Sequence, residues 1–221
     1  MKKLSKYLLF CLLLVGCVPV IHYSPQYDFT LKSVERPQNA KERYGESKII
    51  NIAEGDTIKY QFEDKMIDLT FIPTNKMFYL SLTNKTNHSI KLVWDEAVFV
   101  DSKGNSSKLA NGEMRRISMN SPHPPSVIVR GSSFNTVVFP SANVTSNGIE
   151  SVVPSGRKDS IVEVKSYAQN YIGQKVQILL PLMIEETVNE YIFSFEVNDF
   201  NIYKRTWDSF TGSISVDRVE E

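Results

Sequence analysis

Hydrophobic and polar residues alternate with a period of two along much of the chain from residue 48 onward. Ile58, Tyr60 and Phe62 interleave with Thr57, Lys59 and Gln61, and Ile67, Leu69 and Phe71 with Asp68, Thr70 and Ile72. Phe78, Leu80 and Leu82 then alternate with Tyr79, Ser81 and Thr83, and Ile90, Leu92 and Trp94 continue the pattern. Successive side chains of a strand point to opposite faces, so this alternation describes a half-buried antiparallel sheet. Clusters of turn formers separate the runs: Pro73-Thr74-Asn75-Lys76, Asn84-Lys85-Thr86-Asn87 and Asp101-Ser102-Lys103-Gly104-Asn105. Strands at roughly ten-residue spacing predict a sandwich or barrel.

The second half repeats the style. Residues 126–129 and 134–139 read as strands around Gly131-Ser132-Ser133, and residues 140–160 are rich in Ser, Asn, Gly and Pro. These predict a loop excursion near 140–173, with a short helix between Asp159 and Tyr171. Residues 175–185 and 190–197 form a strong strand pair in which Tyr191, Phe193, Phe195 and Val197 share one face. Pro181 interrupts the first of these, which predicts an edge strand or a bulge. No stretch sustains helical periodicity over three turns. Upstream, residues 18–47 hold Pro19, Pro25 and Pro37 and a polar stretch over 35–48, which predicts a flexible tether. Within it Tyr23, Tyr27, Phe29 and Leu31 would suit an early strand.

The first residues carry an address. Lys2, Lys3 and Lys6 precede an apolar run over 7–16, the layout of a secretory signal. That run is about ten residues, where a spanning helix needs roughly twenty. Its end, Leu14-Val15-Gly16-Cys17, resembles the lipobox of bacterial lipoproteins. The resemblance implies cleavage before Cys17 and lipidation of its thiol by a diacylglyceryl group, giving a palmitate-type membrane anchor. Val18 follows, where in this family an Asp usually retains the protein in the inner membrane. Its absence favours the outer membrane, on the periplasmic face, if the organism is Gram-negative. Further along, Leu82-Thr83-Asn84-Lys85-Thr86, Trp94-Asp95, Val100-Asp101, Gly104, Ile178-Leu179-Leu180-Pro181-Leu182 and Glu190-Tyr191-Ile192-Phe193-Ser194-Phe195 are similar to a group of bacterial lipoproteins with an immunoglobulin-like β-sandwich of unassigned function. The similarity is one of strands and turns, and it implies a fold rather than an activity.

Composition narrows the partners. Cleavage before Cys17 removes 16 of the 221 residues and three of the 25 basic side chains, leaving 205 residues with 22 basic and 25 acidic groups. Without a basic excess, nucleic acid is not an expected partner. The chain has two cysteines; Cys11 leaves with the leader and Cys17 takes the lipid, so the domain depends on its core rather than on disulfides or thiolate-bound metal.

Signatures of catalysis are absent from the sequence: there is no Gly-x-Ser-x-Gly elbow, no phosphate-binding glycine loop and no paired-histidine zinc spacing. His22, His88 and His123 are far apart. Trp94-Asp95-Glu96 could pair a sugar-stacking ring with two carboxylates, but Trp94 continues the Ile90–Leu92 face and more simply packs between sheets. Asn84-Lys85-Thr86, Asn87-His88-Ser89, Asn105-Ser106-Ser107 and Asn143-Val144-Thr145 match the glycosylation pattern and are read as turn residues. Arg115 and Arg116 followed by His123, Pro124 and Pro125 make the best candidate interaction surface, since proline-rich strips bind at low entropic cost.

The sequence therefore predicts an all-β protein, an immunoglobulin-like antiparallel β-sandwich, with a signal peptide over 1–16, a lipidated tether over 17–47 and the sandwich over 48–221. The function expected is a non-enzymatic binding or scaffold module of the cell envelope. Its partners would be the membrane, through Cys17, and an envelope protein; no cofactor is implied. The rivals are a hydrolase of envelope polymers and a surface-exposed adhesin or solute-binding lipoprotein.

Overall fold

The alternating runs become a ladder of antiparallel strands. A computed structural model of the chain describes residues 20–55, 57–114, 121–208 and 211–220. Strands are β1 (Val20–Glu35), β2 (Lys48–Glu54), β3 (Thr57–Glu63), β4 (Ile67–Pro73), β5 (Phe78–Asn84), β6 (Ile90–Leu92), β7 (Val98–Val100) and β8 (Ser106–Asn111). They continue as β9 (Ser126–Ile128), β10 (Ser133–Pro140), β11 (Val144–Thr145), β12 (Gly148–Ile149), β13 (Lys175–Ile184), β14 (Thr187–Asp208) and β15 (Ser213–Arg218). Two short helices, α1 (Ala40–Tyr44) and α2 (Ile161–Gln169), complete the regular structure together with 3-10 turns at Trp94–Glu96 and Ser141–Asn143.

Two sheets face each other. One runs β1-β14-β13 and then to β6 and β7, which share a lane beside β13, with β9 beside β6 and β15 beside the far end of β14. The other runs β2-β3-β4-β5-β10-β8. Because β8 also pairs with β7, the ladder is continuous around that corner and the sheet closes over its own core. The protein is an all-β antiparallel sandwich.

Aromatic rings fill the space between the layers. Phe71 of β4 lies 5.0 Å from Phe193 and 5.3 Å from Phe195, both on β14. Phe62 of β3 meets Phe193 edge-on at 5.7 Å, and Phe78 of β5 approaches Phe195 at 5.0 Å. Edge-to-face contacts of this kind add about 0.5–1.5 kcal/mol each beyond area burial. Tyr191, Phe193, Phe195 and Val197 are all fully buried, as the period of two requires. Ile58 departs from its run and is exposed, because β4 reaches only Tyr60–Glu63 of β3 and the rest of that hairpin overhangs the sheet.

Two expectations are corrected. The tether expected over 17–47 is, from residue 20, part of the domain: β1 pairs with β14 along its length and buries Tyr27, Phe29 and Leu31. Only residues 36–47 connect it to β2, and even there α1 buries Ala40 and Tyr44. Polar residues between the apolar ones had the same period as those of later strands, and bulges near Asp28 and Leu31 absorb the irregularities. Pro181 lies neither on an edge nor in a bulge. It sits in β13, between β14 and the lane of β6 and β7, and its carbonyl accepts the Val93 N–H at 3.0 Å. In an antiparallel strand a residue's N and O point to the same side. The missing proline N–H thus faces the gap where β6 gives way to the 3-10 turn. The short helix expected between Asp159 and Tyr171 is present as α2, its Ser160 N-cap accepting the Val162 N–H.

Candidate functional site: a polar groove

Of the residues singled out in the sequence, Cys17, Arg115 and Arg116 lie outside the described residues. The structure places His123, Pro124 and Pro125 on a segment strapped to the 3-10 turn at Trp94–Glu96. The Asp95 carboxylate accepts the His123 backbone N–H at 3.0 Å and the Lys108 ammonium at 2.7 Å, and Lys108 also reaches the Ser121 carbonyl. These hydrogen bonds, that of Lys108 foremost, hold the Asp95 carboxyl below its ordinary range. Pro124 and Pro125 are exposed. The His123 Nε2 atom is buried and has no hydrogen-bond partner among the described residues. Trp94 is 1% exposed, its indole N–H donating to Ser126 Oγ at 2.8 Å, so the ring packs in the core and offers no stacking face to solvent.

The larger concavity lies elsewhere, and two loops far apart in sequence build its walls. It encloses about 790 Å³ between the β7–β8 turn and the segment over 140–157, with Tyr167 of α2 and Arg205 of β14 at its margin. The turn is set by Asp101. Its Oδ1 accepts the backbone N–H of Lys103 and of Asn105, each at 2.8 Å, while Oδ2 takes the Asn105 side-chain amide at 2.9 Å. Gly104 supplies the left-handed residue this turn needs, at φ 83°. Burial pushes the Asp101 carboxyl up, but the hydrogen bonds from Asn105 and Lys103 outweigh it and the net displacement is downward.

The opposite wall is a polar run held in place by amides. Asn75, in the β4–β5 turn, accepts the Tyr27 N–H through Oδ1 and donates to Ser151 Oγ at 3.0 Å. Ser151 Oγ also lies 2.7 Å from Ser155 Oγ, and the Asn143 amide donates to the Ser151 carbonyl. Tyr27 donates its hydroxyl to the Pro154 carbonyl at 3.0 Å, and Val152 and Val153 are buried beneath. A segment that reads as a loop by composition is therefore an ordered wall. Behind it the Lys158 ammonium sits 4.8 Å from the centre of the Tyr167 ring.

What the groove exposes is cationic. Lys76, Lys103, Arg157 and Arg205 line it, and none forms an ion pair among the described residues. Its lining acids are Asp101, engaged in its own turn, and Glu150. Serine hydroxyls and asparagine amides fill the spaces between. Such a lining can hydrogen-bond an extended polar ligand and neutralise anionic groups on it. Composition alone does not reveal this site, because its parts come from six stretches of chain; the Ser/Asn-rich run over 140–157 is its one visible trace.

A second concavity, about 590 Å³, lies at the β3–β4 corner and is chemically different. Three of its four lysines are occupied, Lys41 by Glu46 at 2.7 Å, and Lys48 and Lys85 by Glu63 at 2.7 and 2.6 Å, while Lys65 forms no ion pair among the described residues. Below them Asp64 is buried. Its Oδ1 accepts the Met66 and Ile67 N–H groups and its Oδ2 the Tyr191 hydroxyl, with Arg36 at 3.9 Å. Tyr44 donates to Asn189 alongside, and Asn189 donates to the Leu182 and Thr187 carbonyls.

Among the described residues no three His, Cys, Asp or Glu side chains gather as a metal site. No helix among them is long and apolar enough to cross a membrane. No protein-family model, curated protein or solved structure matches the chain, so the likeness to envelope lipoproteins rests on Leu14-Val15-Gly16-Cys17 and the strand pattern alone.

Proposed function

We propose that the chain is a lipid-anchored cell-envelope protein whose sandwich acts as a non-enzymatic binding module, holding an extended anionic ligand in the groove between the β7–β8 turn and the 140–157 wall. The lipobox-like Leu14-Val15-Gly16-Cys17 supports the address. The observation that carries the binding role is the set of four groove cations that form no ion pair among the described residues, set among hydroxyls and amides. Unpaired cations along a cleft concentrate a polyanion and raise its association rate. A polysaccharide or polymer strand bearing carboxylates or phosphates suits this lining.

The test is a titration of the purified domain with fluorescently labelled polygalacturonate at two salt concentrations. Binding that weakens about tenfold in a Lys103→Ala/Arg157→Ala double variant, but not in Lys41→Ala, supports the groove; tenfold corresponds to about 1.4 kcal/mol. Equal affinity in all three proteins would remove the groove from the reading. Capturing partners from crosslinked cells checks the wider claim, and no enrichment over an unrelated lipoprotein would count against an envelope partner.

A further inference from the structure

The end of the domain nearest Cys17 is a three-stranded ribbon formed by the start of β1, the end of β14 and β15. Its register puts Val20 opposite Trp207, and Trp207 opposite Ile214. Opposed residues project from the same face, so these three side chains form one row across the ribbon. Two residues along, His22, Arg205 and Val216 form the next row, followed by Ser24, Tyr203 and Arg218. The other face turns inward, where Pro25 and Ile202 are opposed and buried. Val20, Trp207, Ile214 and Val216 are 49%, 44%, 59% and 48% exposed, although each is apolar.

We infer that this face seats the domain on the lipid surface, with the Val20–Trp207–Ile214 row at the boundary between headgroups and acyl chains; the inference rests on acylation of Cys17. Val20 is three chain steps from Cys17, which at about 3.5 Å each gives a reach of about 11 Å. An acylated Cys17 therefore holds the row within the thickness of the headgroup region. The chemistry along the face is graded in the sense a membrane demands. Tryptophan and aliphatic residues come first, then His22, Arg205, Tyr203 and Arg218, the mixture that lies at an interface and meets phosphates. Of the strands' own acidic residues on this face, Asp28 and Asp199 oppose each other eight residues further along β1, about 27 Å from the row, and the one acid beside the second row, Asp159, is engaged by His22 Nδ1 at 3.0 Å. Exposed apolar residues opposed across three strands are not a scatter of single surface hydrophobes, and such continuity marks an interaction surface. Arg205 also lines the polar groove, so a seated domain would open the groove beside the headgroups.

The experiment uses the full acylated chain in phosphatidylethanolamine–phosphatidylglycerol vesicles, with and without bromine on the lipid acyl chains. The chain has two tryptophans, and Trp94 is buried, so it supplies a background that the Trp207→Phe variant measures alone. The expected result is a blue shift of the Trp207 emission on the vesicles and its quenching by brominated lipid. Both should fall in an Ile214→Ser/Val216→Ser variant that remains acylated and keeps its Trp94 emission. Trp207 emission that is equal in the two kinds of vesicle, from an acylated chain, overturns the seat and leaves the anchor standing; so does a row shielded by a second copy, detected as a crosslinked dimer. Lack of acyl label on Cys17 is a separate readout and overturns the anchor together with the seat.

Discussion

Two polar assemblies flank the aromatic core, and they use their polar atoms in opposite ways. At the β3–β4 corner most strong groups are engaged within the fold: Asp64 accepts three hydrogen bonds, and Lys41, Lys48 and Lys85, though not Lys65, have carboxylate partners. In the groove the walls are tied down by Asp101, Asn75 and Asn143, while the cations between them form no ion pair among the described residues. Burial explains the part Asp64 plays, and the neighbouring Glu46 and Glu63 the pairing of the exposed lysines. A buried polar atom must find a partner inside the protein or cost stability, whereas an exposed cation is satisfied by water and stays available to a ligand. The corner should therefore carry stability and the groove binding.

The largest effect should come from Asp64→Ala. The substitution leaves two backbone N–H groups and the Tyr191 hydroxyl without their acceptor, and the expected loss is about 3 kcal/mol in urea unfolding. A loss below about 1 kcal/mol would show that the corner is not the structural assembly described. Asp64 also makes a prediction about pH. Burial, working against the Ile67, Met66 and Tyr191 hydrogen bonds, raises its carboxyl above the ordinary range. The folded chain thus holds this proton more tightly than the unfolded one. Stability from the group is complete below the unfolded carboxylate value and is lost as pH rises through the raised folded value. Asp64→Asn, which keeps an acceptor and cannot ionise, should flatten that part of the stability–pH curve.

A smaller gain tests whether the same corner stores strain. β13 and β14 are joined by Glu185-Glu186, with φ of 50° and 67°, in a loop closed by the Ile184–Thr187 pair. Two positive φ values are what a two-residue turn of the primed kind requires, and Asn-Gly is its usual sequence. Glu186→Gly should stabilise the domain by about 1 kcal/mol, measured by the denaturation midpoint, since a non-glycine residue there costs about 1–2 kcal/mol. No change would mean that the Asn189–Thr187 contact already compensates the turn. The groove should behave otherwise. Lys103→Ala/Arg157→Ala is expected to leave unfolding stability within about 0.5 kcal/mol, the ordinary range for exposed sites, whatever it does to binding. A loss well above that would move these side chains from the ligand's account to the fold's.

Much of this architecture was legible in the chain and the site mostly was not, for a physical reason. Strand periodicity is local, so Phe71, Phe78, Phe193 and Phe195 announce their buried face within a few residues of sequence. β1 obeys the same rule through Tyr27, Phe29 and Leu31, but three prolines and a polar stretch made residues 18–47 resemble a tether. Pro181 misled for a related reason: whether a missing N–H is tolerated depends on what lies beside it, here the gap opened by the turn at Trp94. The groove depends on Asn75 reaching Ser151 and on Arg205 arriving from β14, contacts that no local pattern encodes. The pair Glu63 and Asp64 shows both cases at once, because neighbouring carboxylates are separated only by which way the chain turns.

Glu63 and Asp64 also provide the smallest and sharpest test. Hydrogen bonds from Lys48 and then Lys85 draw the Glu63 carboxyl down to about 2, while burial drives that of Asp64 up. Two adjacent acids should therefore titrate on opposite sides of the ordinary carboxylate range, which carboxyl-carbon NMR shifts can follow residue by residue. Lys85→Ala removes one of the two cations and should move the Glu63 midpoint upward toward its ordinary value. Because a lowered folded pKa gives stability that is present above the unfolded value and lost as pH falls, whatever the variant gives up is missing at neutral pH, and its difference from the parent closes as pH falls into acid. The Glu63–Lys85 ion pair is open to solvent and salt, so that loss should be small even at neutral pH. If instead Glu63 titrates normally in the parent chain, the corner's lysines are not committed to it. The contrast with the groove's unpaired cations would then narrow to the buried Asp64 alone.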